Sequence, residues 1–518
     1  MPEPTAVTEP IPGTGIDADS ATIASLAAAL ASGQVTAQAL TTFYLSRIER
    51  LDPLLHSVIS VSGDALAQAQ ASDTARASGA ASGPLAGIPV LVKDNIAARG
   101  LPATAGSPAL AGAESGDAFC VGRLRQAGAV ILGKANLSEW ANFRSSHPTS
   151  GWSTLGGQAA NPHALDRNPS GSSSGSGVAV AASLVPVAIG TETDGSIVCP
   201  ASACGIVGLK PTLGLVSRSG IVPVALSQDT AGPMTRRVAD AAALLSALAG
   251  PDPADPATAA AAGQLAGYTA FLDADALAGA RIGVWRDGFE TAGRSTAALA
   301  DAAAAVLAGR GATLVDPVEL PGAAGISEPE FSALLTEFRH DLNVYLAALP
   351  GEHPATLAEL IAYNTEHAAS VLARFGQEVF ERAEATGGDL ADPGYRAART
   401  QASRLARAAL DGPLHEHRLD AIVTLTASPA WLTDYHLGDH DVFHTSGPAA
   451  VAGYPAISVP AGGVSGLPVG LTFMGPAWSE PRLIALAYAF EQAAGARLRP
   501  ALAASCPPPA AAGPRPRG

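Results

Sequence analysis

The chain has 518 residues, 47% of them hydrophobic, with 31 basic against 46 acidic side chains and a formal charge of -15. So acidic a surface repels phosphate backbones and anionic lipid, which argues against nucleic acid or a membrane surface as a direct partner. No run reaches the roughly 18 uninterrupted apolar residues of a membrane-crossing helix, and four cysteines (Cys120, Cys199, Cys204, Cys506) fit a reducing compartment better than a disulfide scaffold.

Residues 1–18, rich in Pro, Thr and acid, are expected to form a flexible arm. No Lys or Arg precedes Arg47, so the apolar stretch Ala21–Ala31 lacks the basic flank of a secretory signal. It reads as an amphipathic helix, and a cytoplasmic location is expected. Short apolar runs then alternate with helical patterns. Strands are predicted at Ile88–Val92, Ala129–Leu132, Val187–Gly190, Arg281–Trp285, Ala421–Thr424, Ala456–Val459 and Gly470–Phe473. Helices are predicted at Asp117–Ala127, Val178–Leu184 and Val238–Ala249. Such alternation implies an α/β domain, residues 19–498, around a buried mixed or parallel sheet. From about 328 to 410 the pattern is helical with no strand candidate, as expected of an inserted helical cap. Residues 499–518 end in Pro, Ala, Gly and Arg and are expected to form a tail.

One stretch concentrates polar groups. Ser170 to Gly177 holds five serines in eight residues, and Thr193-Asp-Gly-Ser-Ile197 follows closely. A flexible linker is one reading, but the cluster runs directly into apolar Val178–Leu184, which suits a polar turn feeding a helix. Gly171-x-Ser173-x-Gly175 matches a nucleophile elbow, yet loop material with two prolines precedes it where that motif requires a strand. Gly205–Thr212 contains Gly, Lys and Thr without the contiguous order of a phosphate-binding loop. Lys93 closes the apolar strand at Ile88–Val92; it either reaches out to solvent or stays buried and sheds its proton. Cys199 and Cys204 lack a second ligand pair and read as small buried side chains.

Gly87–Ile96, Pro169–Ala182 and Gly190–Thr212, in that order, resemble the amidase signature family of Ser–cisSer–Lys amide hydrolases. Weaker similarity continues through Gln228–Met234, Val451–Pro455 and Gly466–Gly470, so the resemblance covers roughly residues 20–495, with its core at about 85–235. Within the family, Leu137–Arg144, Gly190–Cys199 and Met474–Pro481 look most like bacterial peptide amidases, which remove C-terminal amides from peptides. The resemblance implies a central mixed sheet covered by helices, no metal and no cofactor. It makes Ser196 the nucleophile, Lys93 the base, and Ser172 the bridging serine after a cis peptide. The backbone N–H groups of Thr193, Asp194, Gly195 and Ser196 would form the oxyanion hole, with Ser173 beside them.

The chemistry is consistent with that assignment. A Ser hydroxyl needs a neighbour to take its proton, and a lysine can do so only when neutral. Lowering its pKa from about 10.4 to near 7 corresponds to about 4.6 kcal/mol, which burial behind Ile88–Val92 could supply.

Two departures bear on substrate. Val198 stands where many relatives carry Arg, which disfavours small anionic substrates. Asp194 replaces a glycine, and its carboxylate either faces the leaving amide or is held by local hydrogen bonds. Glu192 stands where Asp is common. The reading is a serine amidase for peptide amides or other small-molecule carboxamides; alternatives are aryl or acyl amides, or the glutaminase component of a tRNA-dependent amidotransferase. A non-catalytic amide-binding protein would not require Lys93, Ser172 and Ser196 together. His436, His440 and His444 share a four-residue spacing that would suit a metal on a helix. Gly438 and the interleaved aspartates favour a polar loop near the substrate entrance instead. The helical segments Phe331–Leu346 and Leu357–Leu372 are expected to line the acyl side of the cleft.

Overall fold

Short runs of Val, Ile and Leu, covered on both faces, make the strands of one mixed sheet in the computed structural model, which describes residues 7–79, 83–264, 267–287, 289 and 292–506. In chain order they are β1 (Val58–Val61), β2 (Pro89–Lys93), β3 (Val130–Ala135), β4 (Val187–Glu192), β5 (Val207–Lys210) and β6 (Thr230–Thr235). There follow β7 (Arg281–Val284), β8 (Thr313–Val315), β9 (Ala421–Leu425), β10 (Ala456–Val464) and β11 (Leu467–Met474). Their order across the sheet is β1-β3-β2-β4-β6-β5-β10-β11-β9-β7-β8. Every residue of β2, β3 and β4 is buried, as in a sheet covered by helices on both sides. The α/β class expected from the alternation is the one observed.

The site's position follows from this topology. β2 and β4 are parallel neighbours, so their C-terminal ends emerge together, the usual location of ligand sites in such sheets. Lys93 is the last residue of β2 and Glu192 the last of β4. Two helices start beside them: Ser174–Ala181, out of the serine cluster, and Val198–Cys204, two residues after Ser196.

Several expectations needed correction. The helix predicted at Val178 begins at Ser174, because serine hydroxyls there bond back to backbone carbonyls (Ser174 Oγ to Ser170 O, 2.6 Å). β6 was missed because it contains Gly232 and Pro233; its ladder to β5 reaches only Met234 and Thr235, so Pro233 lies past its end. Residues 327–416 hold the helices Ser327–Ala348, Leu357–Glu366, Ala368–Val371, Glu378–Ala385 and Pro393–Glu416. They also hold one two-residue strand, Gly351–Glu352, paired with Gly112–Ala113 and too short to leave a pattern. Residues 7–18 of the expected flexible arm are packed: Val7 and Ile11 are buried, and Glu9 pairs with Arg47 and Arg50. At the other end Leu502 is buried and its N–H donates to Pro162 O at 3.0 Å. Residues 1–6 and 507–518 of the arm and tail lie outside the described residues. Among the described residues no helix is long and apolar enough to cross a membrane.

Candidate active site

Lys93 has no exposed surface. Its Nζ lies 2.8 Å from Ser172 Oγ, 2.9 Å from Thr191 Oγ1 and 3.2 Å from Thr191 O. Burial disfavours the ammonium form and pushes its pKa from 10.5 down to about 7, against the opposing pull of the Asp229 and Glu192 carboxylates. Of the two fates open to a lysine ending an apolar strand, the structure shows the buried one.

The serine cluster is a buried hydrogen-bonded turn. Ser172, Ser173, Ser174 and Ser176 are all inaccessible, and the Gly171–Ser172 peptide is cis. Ser173 joins the turn to the end of β4, its Oγ donating to Thr191 O at 3.0 Å and accepting from Thr191 N–H at 3.1 Å. The Ser173 N–H donates to Ser196 O at 3.1 Å. Ser196 is thereby tied to the neighbour of Ser172, although the two serines lie 24 positions apart in sequence. Gly175 permits this packing: a Cβ there would come within 2.4 Å of Asn136 O and Ser57 O.

Ser196 sits at the margin of exposure, 9%, on the tight turn between β4 and the helix Val198–Cys204. Gly195 supplies the turn with φ +76°, and a Cβ on it would meet Cys199 Sγ and Ser446 Oγ at 2.9 Å. Glu192 Oε2 accepts the Ile197 and Val198 N–H groups at 2.8 and 3.1 Å, fixing the start of that helix. Among the described residues, the N–H groups of Asp194, Gly195 and Ser196 donate to no protein acceptor. Thr193 is anchored through its hydroxyl, which donates to Asp229 Oδ1 at 2.5 Å. Asp194 Oδ1 is shielded from solvent and has no hydrogen-bond partner. Of the two readings of this carboxylate, local capture finds no support in the structure.

In front of Ser196 lies a cavity with about 170 Å³ open to water-sized molecules. Asp194, Gly195 and Ser196 form one side; Trp431, Asp441 and His444 form another. The Asp441 carboxylate, 2.8 Å from His444 Nδ1, raises the imidazole pKa to about 9. Asp439, which accepts from Ser150 N–H at 2.9 Å, is pushed up to about 6 by burial.

One expectation holds here and one changes. The three histidines do not share a helical face: Asp434 accepts the His436 and Leu437 N–H groups, and Gly438 has φ +81°, so the segment is a turn. His440 pairs with Asp434 and His444 with Asp441. Neither Phe331–Leu346 nor Leu357–Leu372 contributes to the wall of this cavity; Phe331 and Phe338 pack against Phe143 instead. Trp431, in the cavity wall, and Asp229, beside Lys93, were missed as site neighbours. Only Asp229 left a sequence signal, as the acid heading Asp229-Thr-Ala-Gly-Pro-Met234.

A family profile described as Amidase matches residues 39–484. A probable amidase of Arabidopsis thaliana is 42% identical over 485 residues, 91% of this chain and 90% of that protein. A glutamyl-tRNA(Gln) amidotransferase component from Synechococcus sp. (strain WH7803) is 38% identical, with 90% of this chain and 95% of that protein covered. The crystal structure of the native peptide amidase from Stenotrophomonas maltophilia superposes with a TM-score of 0.89 at 51% identity, covering 92% of this chain and 98% of that one.

Proposed function

The chain belongs to the amidase family, a linear-amide hydrolase resembling peptide amidases, and on that premise we propose that it converts C-terminal peptide amides to carboxylates plus ammonia through an acyl-enzyme on Ser196. The observation that carries this reading is the buried contact between Lys93 Nζ and Ser172 Oγ beside the turn that presents Ser196.

In this reading Ser196 Oγ attacks the amide carbonyl while its proton passes to Ser172, whose own proton passes to neutral Lys93. The carbonyl oxygen gains negative charge, and the unpaired N–H groups of the 194–196 turn stand ready to stabilise it. Collapse of the tetrahedral intermediate breaks the C–N bond, and the relay returns the proton to the departing nitrogen as ammonia. Water then repeats the sequence on the ester, releasing the carboxylic acid and restoring the Ser196 hydroxyl. The free Asp194 Oδ1 acceptor suits an N–H of the bound amide.

Substrate class rests on charge and shape. Val198, where an Arg would add a cation, is fully buried. Asp194, Asp439 and Asp441 line the cavity, and the cation they face, His444, is already paired to Asp441. An acidic cavity suits neutral or cationic acyl groups, and the 51% identity with a peptide amidase favours a peptide over an aryl group. The test is mass spectrometry of protein quenched during turnover of an N-acetyl-dipeptide amide. The expected result is the peptidyl mass on Ser196; an adduct on another residue would overturn the assignment.

A further inference from the structure

Beside the Lys93–Ser172 pair lies a second and smaller chamber, whose wall includes Ser172 but not Ser196. About 10 Å³ of it is open to the centre of a water molecule, room for one. Asn95, Ser172, Thr191, Thr193 and Asp229 are in its wall. Asn95 is 4% exposed and its Oδ1 has no hydrogen-bond partner, although its Nδ2 donates to Thr191 Oγ1 at 3.0 Å. A buried amide oxygen without a donor costs roughly 1–3 kcal/mol, and water in a polar chamber is the usual remedy. Asp229 is 8% exposed and is held by the Val224 and Ala225 N–H groups and the Thr193 hydroxyl.

The chamber also has a second neighbour. Arg218, Ile221 and Leu226 are common to its wall and to an open surface recess, whereas Ala141 is common to its wall and to the catalytic cavity.

We propose that this chamber is a built water site, bound by Asn95 and Asp229, that connects the Lys93–Ser172 relay to the recess at Arg218 and Leu226 by a path separate from the substrate cavity. The inference rests on Lys93 acting as the base. The water accepts a proton from one neighbour as it donates to the next, so a proton exchanges between Lys93 and solvent without net change in the water. Other charges face these groups: Glu192 faces Lys93, while Arg218, with its partner Asp255, and Asp341 from the helix Ser327–Ala348 face Asp229. Burial raises the Asp229 carboxyl itself to about 7, so it is only partly ionised over the acidic limb; through the water its ionised fraction stabilises the protonated form of Lys93 and holds the limb of kcat/KM at a higher pH.

A crystal structure of the full chain at a resolution that shows ordered solvent tests the site directly. A water within hydrogen-bond distance of both Asn95 Oδ1 and the Asp229 carboxylate is expected; a dry chamber would overturn the proposal. The connection is read from pH profiles of kcat/KM on an N-acetyl-dipeptide amide. Asp229→Asn should move the midpoint of the acidic limb down by up to about one pH unit, as loss of one partly screened and partly ionised carboxyl would. Asn95→Leu, which displaces the water, should move it in the same direction. A midpoint unmoved in both variants overturns the connection, and the limb's position, unlike its height, is insensitive to a merely structural loss. If Asp229→Asn does not fold, Asn95→Leu decides alone. The crystallographic result is read without turnover, so failure of the proposed amidase reaction is distinguishable from failure of the water site.

Discussion

A lysine with no exposed surface takes its protonation state from what replaces water around it. Around Lys93 that replacement is two hydroxyls and one carbonyl, none able to neutralise an ammonium, with Asp229 and Glu192 exerting only an opposing pull. The base is active when neutral, so kcat/KM should be fully developed above its pKa and fall as pH drops through about 7. A pH profile with a single acidic limb in that region is expected; a profile flat from pH 5 to 9 would contradict a lysine base. Lys93→Met removes the proton acceptor but retains the volume, and should lower kcat by at least about a hundredfold with little change in unfolding midpoint. Asp194 is predicted to act in binding. Asp194→Ala should raise KM about tenfold, the value of one hydrogen bond to a carboxylate, with a smaller effect on kcat. An unchanged KM would remove that carboxylate from the substrate's contacts.

At the scale of elements, the site is made by two turns pressed together at the ends of β2 and β4, and the glycines set how closely they meet. Gly175→Ala places a Cβ against two backbone oxygens at 2.4 Å, and should cost about 3 kcal/mol, seen as a lower midpoint in urea unfolding. Gly116→Ala, where nothing lies within 4 Å, should shift stability by less than about 0.5 kcal/mol. An equal effect of the two would refute the packing argument. These same turns were the most legible part of the sequence, because a serine- and glycine-dense stretch running directly into apolar Val178–Leu184 is hard to explain as a linker. The opposite wall was legible only in part, as a polar loop near the entrance. Trp431, Asp441 and His444 belong to an irregular segment between β9 and the helix Gly447–Ala452, and no local periodicity tells which cavity a loop will face. Of the two readings of the histidine spacing, the loop favoured by Gly438 and the aspartates is the one formed, with the Asp434 carboxylate capping the turn at His436 and Leu437. β6 was hidden by its own Pro233, tolerated past the end of a short ladder.

For the whole molecule, the net charge of -15 and the carboxylates lining the cavity act in the same direction. Cationic peptide amides should associate faster than anionic ones at low ionic strength, and added salt should narrow the difference. Comparing kcat/KM for N-acetyl-Leu-Arg amide and N-acetyl-Leu-Glu amide across a salt series checks this; a preference for the acidic peptide would contradict the electrostatic argument. The sheet, the two turns and the cavity matter functionally only if they deliver an acyl-transfer serine. Ammonia release from an N-protected dipeptide amide, for wild type beside Ser196→Ala, tests that most directly. Wild type should release ammonia steadily, and the variant should lose at least about a thousandfold of that rate. Release that survives the substitution undiminished would contradict an acyl-transfer role for Ser196, and so would a wild-type protein that releases none.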